Sequence, residues 1–411
     1  MSVNPQPNLL FIAYYYPPIN AVGALRAGRF AKYLAEWGYH AAVVAGNASP
    51  GLEDSKTTTF VPKLNGASSA LSRAGVLAGK VVQKLVTQHS DRMEWVPYAI
   101  QGAIPLLETG RIRAIFSTSP PIANHVAALW LRRHYNVKWI ADFRDPLVGS
   151  PFRQKAGMRI HDRWLQRAIF EQADGLTTVT DAIAEEWTAR ETSIREKVRV
   201  IWNGFDPAEL FGPAPRSERA VRIMAHVGDL YGGRHPGLLL SSMDRLIRRG
   251  SLDPSSIRLE LIGPIETSGL DHNPSFERLK EIGVLHFNNQ RVPREQAMEA
   301  IAQADYLLLL DLNEKNVGHT VPAKLFDYLR SGHPILTFTA CRSVVDGILS
   351  KSGVPYVSVY PDEAESRIDE KVSSFFALDV APVQPNEWFW QQFDGKRQAG
   401  TLAQLFDRIL A

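Results

Sequence analysis

Cysteine is almost missing from this sequence: Cys341 is the only one in 411 residues. A single thiol excludes an intrachain disulfide and any cysteine-built metal cluster, and it suits a reducing cytoplasm. Long apolar runs are missing as well, and no stretch approaches the roughly 20 residues of a membrane-spanning helix. The opening "MSVNPQPNLLFIAYYYPP" has no basic start. Its apolar run is too short for the core of a secretory leader, so none is expected. Low-complexity tracts are absent too, and 45% hydrophobic with 22% charged residues describes a folded chain rather than a disordered one.

The formal net charge of +3 hides an asymmetry: residues 1–204 hold 24 Lys+Arg against 16 Asp+Glu, and the remainder 22 against 27. A basic first half suits an anionic membrane surface or a phosphorylated acceptor, and equally a solvated surface with no partner. The length exceeds that at which one core keeps growing, so two domains of roughly 200 residues are expected.

What is present is a repeated rhythm. "NLLFIA", "HAAVVAG", "AIFSTS", "VKWIADF", "GLTTVT" and "VRVIWNG" are short apolar runs separated by helical patterns such as "ALRAGRFAKYLAEWG". "RIMAHVG", "IRLELIG", "VLHFNN", "YLLLLDL", "PILTFT" and "VPYVSV" repeat it in the second half. Strands apolar along their whole length, alternating with helices, predict parallel sheets covered on both faces. The fold class is α/β, two doubly wound Rossmann-like domains, with the join in the Gly/Pro-rich "WNGFDPAELFGPAPRSERA". Residues 1–204 form the first domain, joined by the C-terminal helix at about 390–411, and residues 205–389 form the second. Residues 47–96 break the rhythm: a polar "NASPGLEDSKTTTF" precedes "LSRAGVLAGKVVQKL", a basic amphipathic helix. Leu71, Val76, Leu77, Val81 and Leu85 are its apolar residues. It reads as a packed helix or as a membrane-surface element.

In open α/β sheets ligands bind beyond the carboxyl ends of the strands, where helix N-termini offer N–H groups to anions. After the first strand, Pro17 and Pro18 stiffen the exit of "YYYPPINAVGALRAGRF" and Gly23 lets the chain enter a helix. That is an anion-site layout, or a connection that merely needs glycine; Arg26 faces the ligand or solvent. "HVGDLYGGRHPGLLL" repeats strand, glycine loop and helix. Gly228, Gly232 and Gly233 permit close approach to a phosphate, and Arg234 is placed to clamp it. The spacing is not that of the dinucleotide fingerprint. In "HTVPAKLFDYLRSGHPIL", Pro322 suits a first helical turn, Lys324 and Asp327 lie three apart on one face, and Ser331-Gly332 stop the helix. A cation at a helix N-terminus opposes the macrodipole, so Lys324 needs a partner or solvent, and a diphosphate is such a partner. The alternative is a surface Lys–Asp pair.

These segments, with "STSPPIANHVAALWL", "IADFRDP", "ADGLTTVTDAIAEEW", "VIWNGFD" and "LELIGP" in the same order, resemble retaining glycosyltransferases of family 4 with the GT-B fold. In that family two Rossmann-like domains face a central nucleotide-sugar cleft. The resemblance runs nearly end to end. It implies that Gly23 lies in the glycine loop facing donor and acceptor, that Arg234 holds the donor diphosphate, and that Asp327 binds the ribose. Asn203, Gly204 and Asp206 match a structural turn at the domain join. The donor side implied in this way is Gly23, Gly228, Gly233, Arg234, His319, Thr320, Lys324 and Asp327. Tyr16, Asn20, Arg26 and Asp145 are implied on the acceptor side, and Arg234, Lys324, Arg144 and Asp142 as catalytic.

The sequence also departs from the family's pattern. Asp229 replaces a diphosphate-binding Arg, His319 replaces the first Glu of Glu-x7-Glu, and Arg144 stands between Asp142 and Asp145 where many members have a His. The implied reaction is transfer with retention from a nucleotide-sugar co-substrate, a UDP- or GDP-sugar, with no cofactor and no bound metal. The implied acceptor is a carbohydrate or lipid-linked precursor of the cell envelope or a polysaccharide. The setting is cytoplasmic, with peripheral contact to an anionic membrane through the first domain and no nucleic acid. A tailoring enzyme acting on a small soluble molecule, a GT-B-shaped binding protein without catalysis, and a nucleotide-sugar epimerase on the same fold stay open.

Overall fold

The computed structural model describes residues 6–19, 22–46, 58–61, 91–149, 156–209, 211–212, 220–230, 233–265, 270, 273–311 and 321–411. The expected basic helix around 71–85, Asn20, Gly232, His319 and Thr320 lie outside the described residues.

The chain divides into two compact units, one of residues 1–206 with 395–411 and one of residues 207–394. The first is built on seven strands: β1 (Leu9–Ile12), β2 (Ala41–Ala45), β3 (Thr58–Phe60), β4 (Ala114–Ser119), β5 (Lys138–Phe143), β6 (Gly175–Thr178) and β7 (Val198–Val200). They lie in the order β3-β2-β1-β4-β5-β6-β7, each pair parallel. Side chains on a strand alternate between faces, and here both faces are dry. Leu10 and Ile12 pack with Trp95, Ala99 and Ile115, whereas Leu9 and Phe11 pack with Phe30, Leu402 and Phe406. The last two belong to the helix Gly395–Leu410, which returns from the far end of the chain to cover this sheet.

The second unit holds β8 (Arg222–Val227), β9 (Ile257–Ile262), β10 (Leu285–Asn288), β11 (Tyr306–Leu310), β12 (Ile335–Phe338) and β13 (Tyr356–Val359), in the order β10-β9-β8-β11-β12-β13, again parallel. Each unit is therefore a doubly wound, Rossmann-like sheet, as the alternation of strands and helices predicts. In both sheets the first strand, β1 or β8, is the point where strand order reverses, with β4 or β11 on its other side. A crevice for ligand opens at such switch points.

One strand escaped the sequence reading. β3 lies in the stretch read as a polar break, and among the described residues it pairs with β2 alone, through Thr58, Thr59 and Phe60. An edge strand of three residues carries too short a pattern to be told from a loop, and its only cue is the β-branched Thr pair.

Candidate functional site

The strongest convergence of sequence-flagged residues is at the carboxyl ends of β8 and β9. Gly228 has φ +112° and Gly263 φ +126°. A Cβ on Gly263 would stand 2.8 Å from the Gly228 carbonyl carbon, so the two loops meet only because glycine lacks that atom. The Gly228 N–H donates to Ile262 O at 2.8 Å, which ties the loop after β8 to β9.

The helix Lys324–Ser331 is seated on the same spot. Tyr328, fully buried, accepts a hydrogen bond from the Val227 N–H at 2.9 Å. Lys324, one turn earlier on the same face, brings Nζ within 2.9 Å of His226 Nε2 and within 3.0 Å of where a Gly228 Cβ would be. Gly332 ends the helix at φ +74°, where a Cβ would meet Val383 O at 2.7 Å. The stop signal in the sequence is therefore also a packing requirement.

Arg234 lies beside this lysine. Its Nη2 is 4.0 Å from Asp311 Oδ1, and Thr339 Oγ1 donates to Asp311 Oδ2 at 3.1 Å. Burial, and then the Arg234 charge, bring the Lys324 ammonium down to a pKa of about 7, against a small upward pull from Asp229. Burial and the Lys324 charge likewise hold His226 well below its ordinary value, so the imidazole is neutral. Two cations of like sign therefore act on each other in a low-dielectric spot, with Lys324 over the glycine loop. Asp229 is ion-paired with Arg291.

Asp327 shares helix Lys324–Ser331 with Lys324 and has different company. Its two oxygens are each 3.3 Å from an Arg294 nitrogen, and Arg330 Nη1 is 4.0 Å away. Arg294 also grips Glu209 bidentately at 2.7 and 2.8 Å, and Arg330 donates to the Glu209 carbonyl. Burial pushes the Asp327 carboxyl up, against the pull of Arg294 and Arg330. The alternative of a surface Lys324–Asp327 pair is not seen among the described residues: Lys324 contacts His226 and Asp327 contacts Arg294. Gly233 adopts φ +86° with nothing near its missing Cβ.

In the first unit Gly23 and Arg144 meet: the Arg144 guanidinium, from the end of β5, occupies the space a Gly23 Cβ would need at the start of helix Val22–Leu34. Arg144 Nη2 donates to Pro120 O, and its backbone N–H to Ser119 O at 2.9 Å, which draws it across the end of β4. Asp145 is half-buried beside it, and its charge acts on Arg144. Tyr16 packs against the core, and burial pushes its hydroxyl pKa up to about 12.

Two expected site residues are corrected. Asp142 and Arg26, read as catalytic and acceptor-side groups, are 0% and 1% exposed and bound to each other at 2.7 and 3.1 Å. Thr118 and Thr177 hydroxyls complete the Asp142 carboxylate at 2.7 and 2.6 Å. Arg26 also donates to the carbonyls of Ile201 and Trp202 at 2.8 and 2.7 Å. With every oxygen engaged inside the unit, Asp142 holds β4, β5 and β6 together and has no lone pair left for a substrate. Burial raises its pKa and the Arg26 charge with its hydrogen bonds more than reverses this, so it stays ionised.

His226 and Tyr328 were missed. The available signals were a single imidazole inside the apolar "RIMAHVG" and a Tyr four residues after Lys324.

Residues 23–204 match the model of a family described as the glycosyl transferase 4-like domain. No curated protein matches the chain by sequence. Among solved structures the chain is similar to HepE of Anabaena in complex with UDP-glucose, at 14% identity, TM-score 0.61, over 97% of this chain and 99% of that one. It is similar at 11% identity and TM-score 0.60, over 97% and 99%, to the lipopolysaccharide outer core galactosyltransferase WaaB. UDP-GlcNAc 2-epimerase from Methanocaldococcus jannaschii is similar at 10% and 0.55, also over 97% and 99%. At such identities the likeness establishes fold rather than chemistry. The chain has the two-domain GT-B fold, and its first unit matches the glycosyl transferase 4-like domain over residues 23–204.

Proposed function

We propose that the protein is a retaining, hexosyltransferase-type glycosyltransferase that takes a sugar from a UDP- or GDP-sugar without a bound metal. The observation that carries this is the buried Lys324 seated over Gly228 at the β8 switch point, with the Arg234 charge acting on it. Two buried cations repel each other, and a diphosphate among them turns that repulsion into attraction. As the sugar–phosphate bond breaks, negative charge grows on the leaving diphosphate. Fixed cations stabilise it more in the transition state than in the ground state. Lys324 and Arg234 would hold that charge, Gly228 and Gly233 would admit the phosphates, and Asp327, within reach of Arg294, would meet the ribose. His319 and Thr320 belong to the sugar end of this reading. Gly23 and Arg144, with Tyr16, Asn20 and Asp145, would serve the acceptor.

For the acceptor we favour a carbohydrate or lipid-linked precursor reached from the inner face of a membrane. The support is the helix Ala156–Gln172 of the first unit, where Ile160 is 68% and Trp164 62% exposed, one turn apart and flanked by the exposed Arg163 and Arg167. An apolar pair rimmed by arginines suits an anionic interface. Among the described residues no helix is long and apolar enough to cross a membrane.

The test is a thermal-shift panel of UDP, GDP, ADP, CMP and dTDP with their sugars. At least one should raise the melting temperature, and Lys324→Ala should abolish that rise. If no nucleotide stabilises well-folded protein at millimolar concentration, the donor reading is wrong. Conversion of UDP-GlcNAc with no acceptor present would instead favour an epimerase.

A further inference from the structure

We infer that His226 is a positioning residue for Lys324, holding the ammonium over Gly228 before any ligand arrives. The inference rests on the diphosphate reading above and adds a residue to it.

His226 is fully buried in β8, and a buried imidazole needs partners for both nitrogens. Its Nδ1 is 2.9 Å from Leu308 O on β11. Its Nε2 lies 3.2 Å from Gly228 O and 2.9 Å from Lys324 Nζ, so a carbonyl faces each nitrogen and the lysine decides between them: an ammonium only donates, which puts the single ring proton on Nδ1, toward Leu308 O, and leaves the Nε2 lone pair for Lys324. Lys324 Nζ, at 2.9 Å, donates into that lone pair. The other tautomer would gain the longer bond to Gly228 O but set two acceptors against each other at Leu308 and a ring N–H against the ammonium. The charged groups facing the ring are Lys324 and Arg234, both positive, so a second proton is disfavoured as well. The Leu308 carbonyl and the ammonium together favour one tautomer, and its bare Nε2 orients the lysine.

A free lysine side chain has many rotamers, and restraining one before binding reduces the ordering needed when ligand arrives. One N–H of Lys324 is committed to His226. Two remain, in space kept open by the missing Cβ of Gly228, 3.0 Å from Nζ. Two donors side by side suit a pair of oxygens on one diphosphate.

A double-substitution cycle tests this, with inorganic pyrophosphate, UDP and GDP as probes in titration calorimetry at neutral pH. His226→Phe keeps a ring of similar volume and removes the acceptor. It should weaken binding about tenfold when Lys324 is present and less than about twofold in a Lys324→Met background, a coupling typical of residues sharing one hydrogen bond. His226→Gln, whose amide oxygen can accept, should recover most of the affinity. Equal losses in both backgrounds would assign His226 a merely structural role and overturn the inference, as would no loss with Lys324 present. Should His226→Phe not fold, His226→Met replaces it in the same cycle. If the wild-type protein binds none of the three probes, the diphosphate reading itself fails and this inference falls with it.

Discussion

A buried lysine beside an arginine is easily discharged, and this gives Lys324 a signature in pH. Its folded-state pKa of about 7 lies below the ordinary 10.5. Between those values the unfolded chain binds more protons than the native one, so the lysine's contribution to stability rises with pH from about 7 to about 10. Below about 7 the native state carries the full burden of the buried charge. A bound diphosphate has the opposite effect, because its anion restores the proton. Pyrophosphate binding at pH about 8 should therefore be accompanied by proton uptake, and its affinity should fall as pH climbs through 7 to 9. Calorimetry in two buffers of different ionisation enthalpy reads the uptake, and Lys324→Met should abolish it; an unchanged uptake would assign the proton to another group. Lys324, Arg234 and Gly228 were legible in the sequence because each follows a strand or opens a helix. Asp142 and Arg26 were assigned to the site through the family resemblance, which does not say which way a charge faces. Which way it faces depends on a partner 116 residues away.

Among the elements, the helix Gly395–Leu410 has the largest consequence for its size. It lies beyond the second unit in sequence and covers the first sheet, with Leu402, Ala403 and Phe406 fully buried against Leu9, Phe11 and Phe30. The Gly395 N–H donates to Phe205 O at 3.0 Å, which fixes where the helix begins. Burying two or three large apolar side chains is worth about 1.5–3 kcal/mol each. The sum is a large share of the roughly 5–15 kcal/mol by which a domain is stable. A chain ending at Asp394 should therefore lose cooperative melting of the first unit while the second still melts, with a sharp drop in soluble yield. Two undisturbed transitions would show the helix to be dispensable. The helical character of this segment is local and readable; the sheet it covers is not, since an apolar stripe fits any dry face of suitable shape. The same limit hid β3, whose three residues become a strand only by pairing with β2.

For the molecule as a whole, the basic first half and the Ile160–Trp164 stripe support one expectation. The protein should float with vesicles of phosphatidylglycerol and phosphatidylcholine, not with phosphatidylcholine alone, and added salt should release it. Ile160→Ser with Trp164→Ser should reduce binding about tenfold or more without changing the melting temperature, because both side chains are exposed. Flotation unaffected by salt or by these substitutions would count against a membrane-side acceptor. At this scale the fold was the most legible property, because twelve of the thirteen strands among the described residues fall within short apolar-rich runs whose spacing already implies two parallel sheets. The chemistry was less so: the same fold is seen in a galactosyltransferase and in an epimerase.

The sequence by itself determined the alternation of strand and helix, the number of sheets and the glycine and proline stops. Those depend on periodicity and backbone conformation within a few residues. Only the tertiary structure decided which charged groups meet, because the partners lie far apart in the chain: Lys324 with His226 across 98 residues and Arg26 with Asp142 across 116. A side chain's charge is written in the sequence, but whether that charge is exposed, neutralised or stranded beside its like depends on what folding brings next to it.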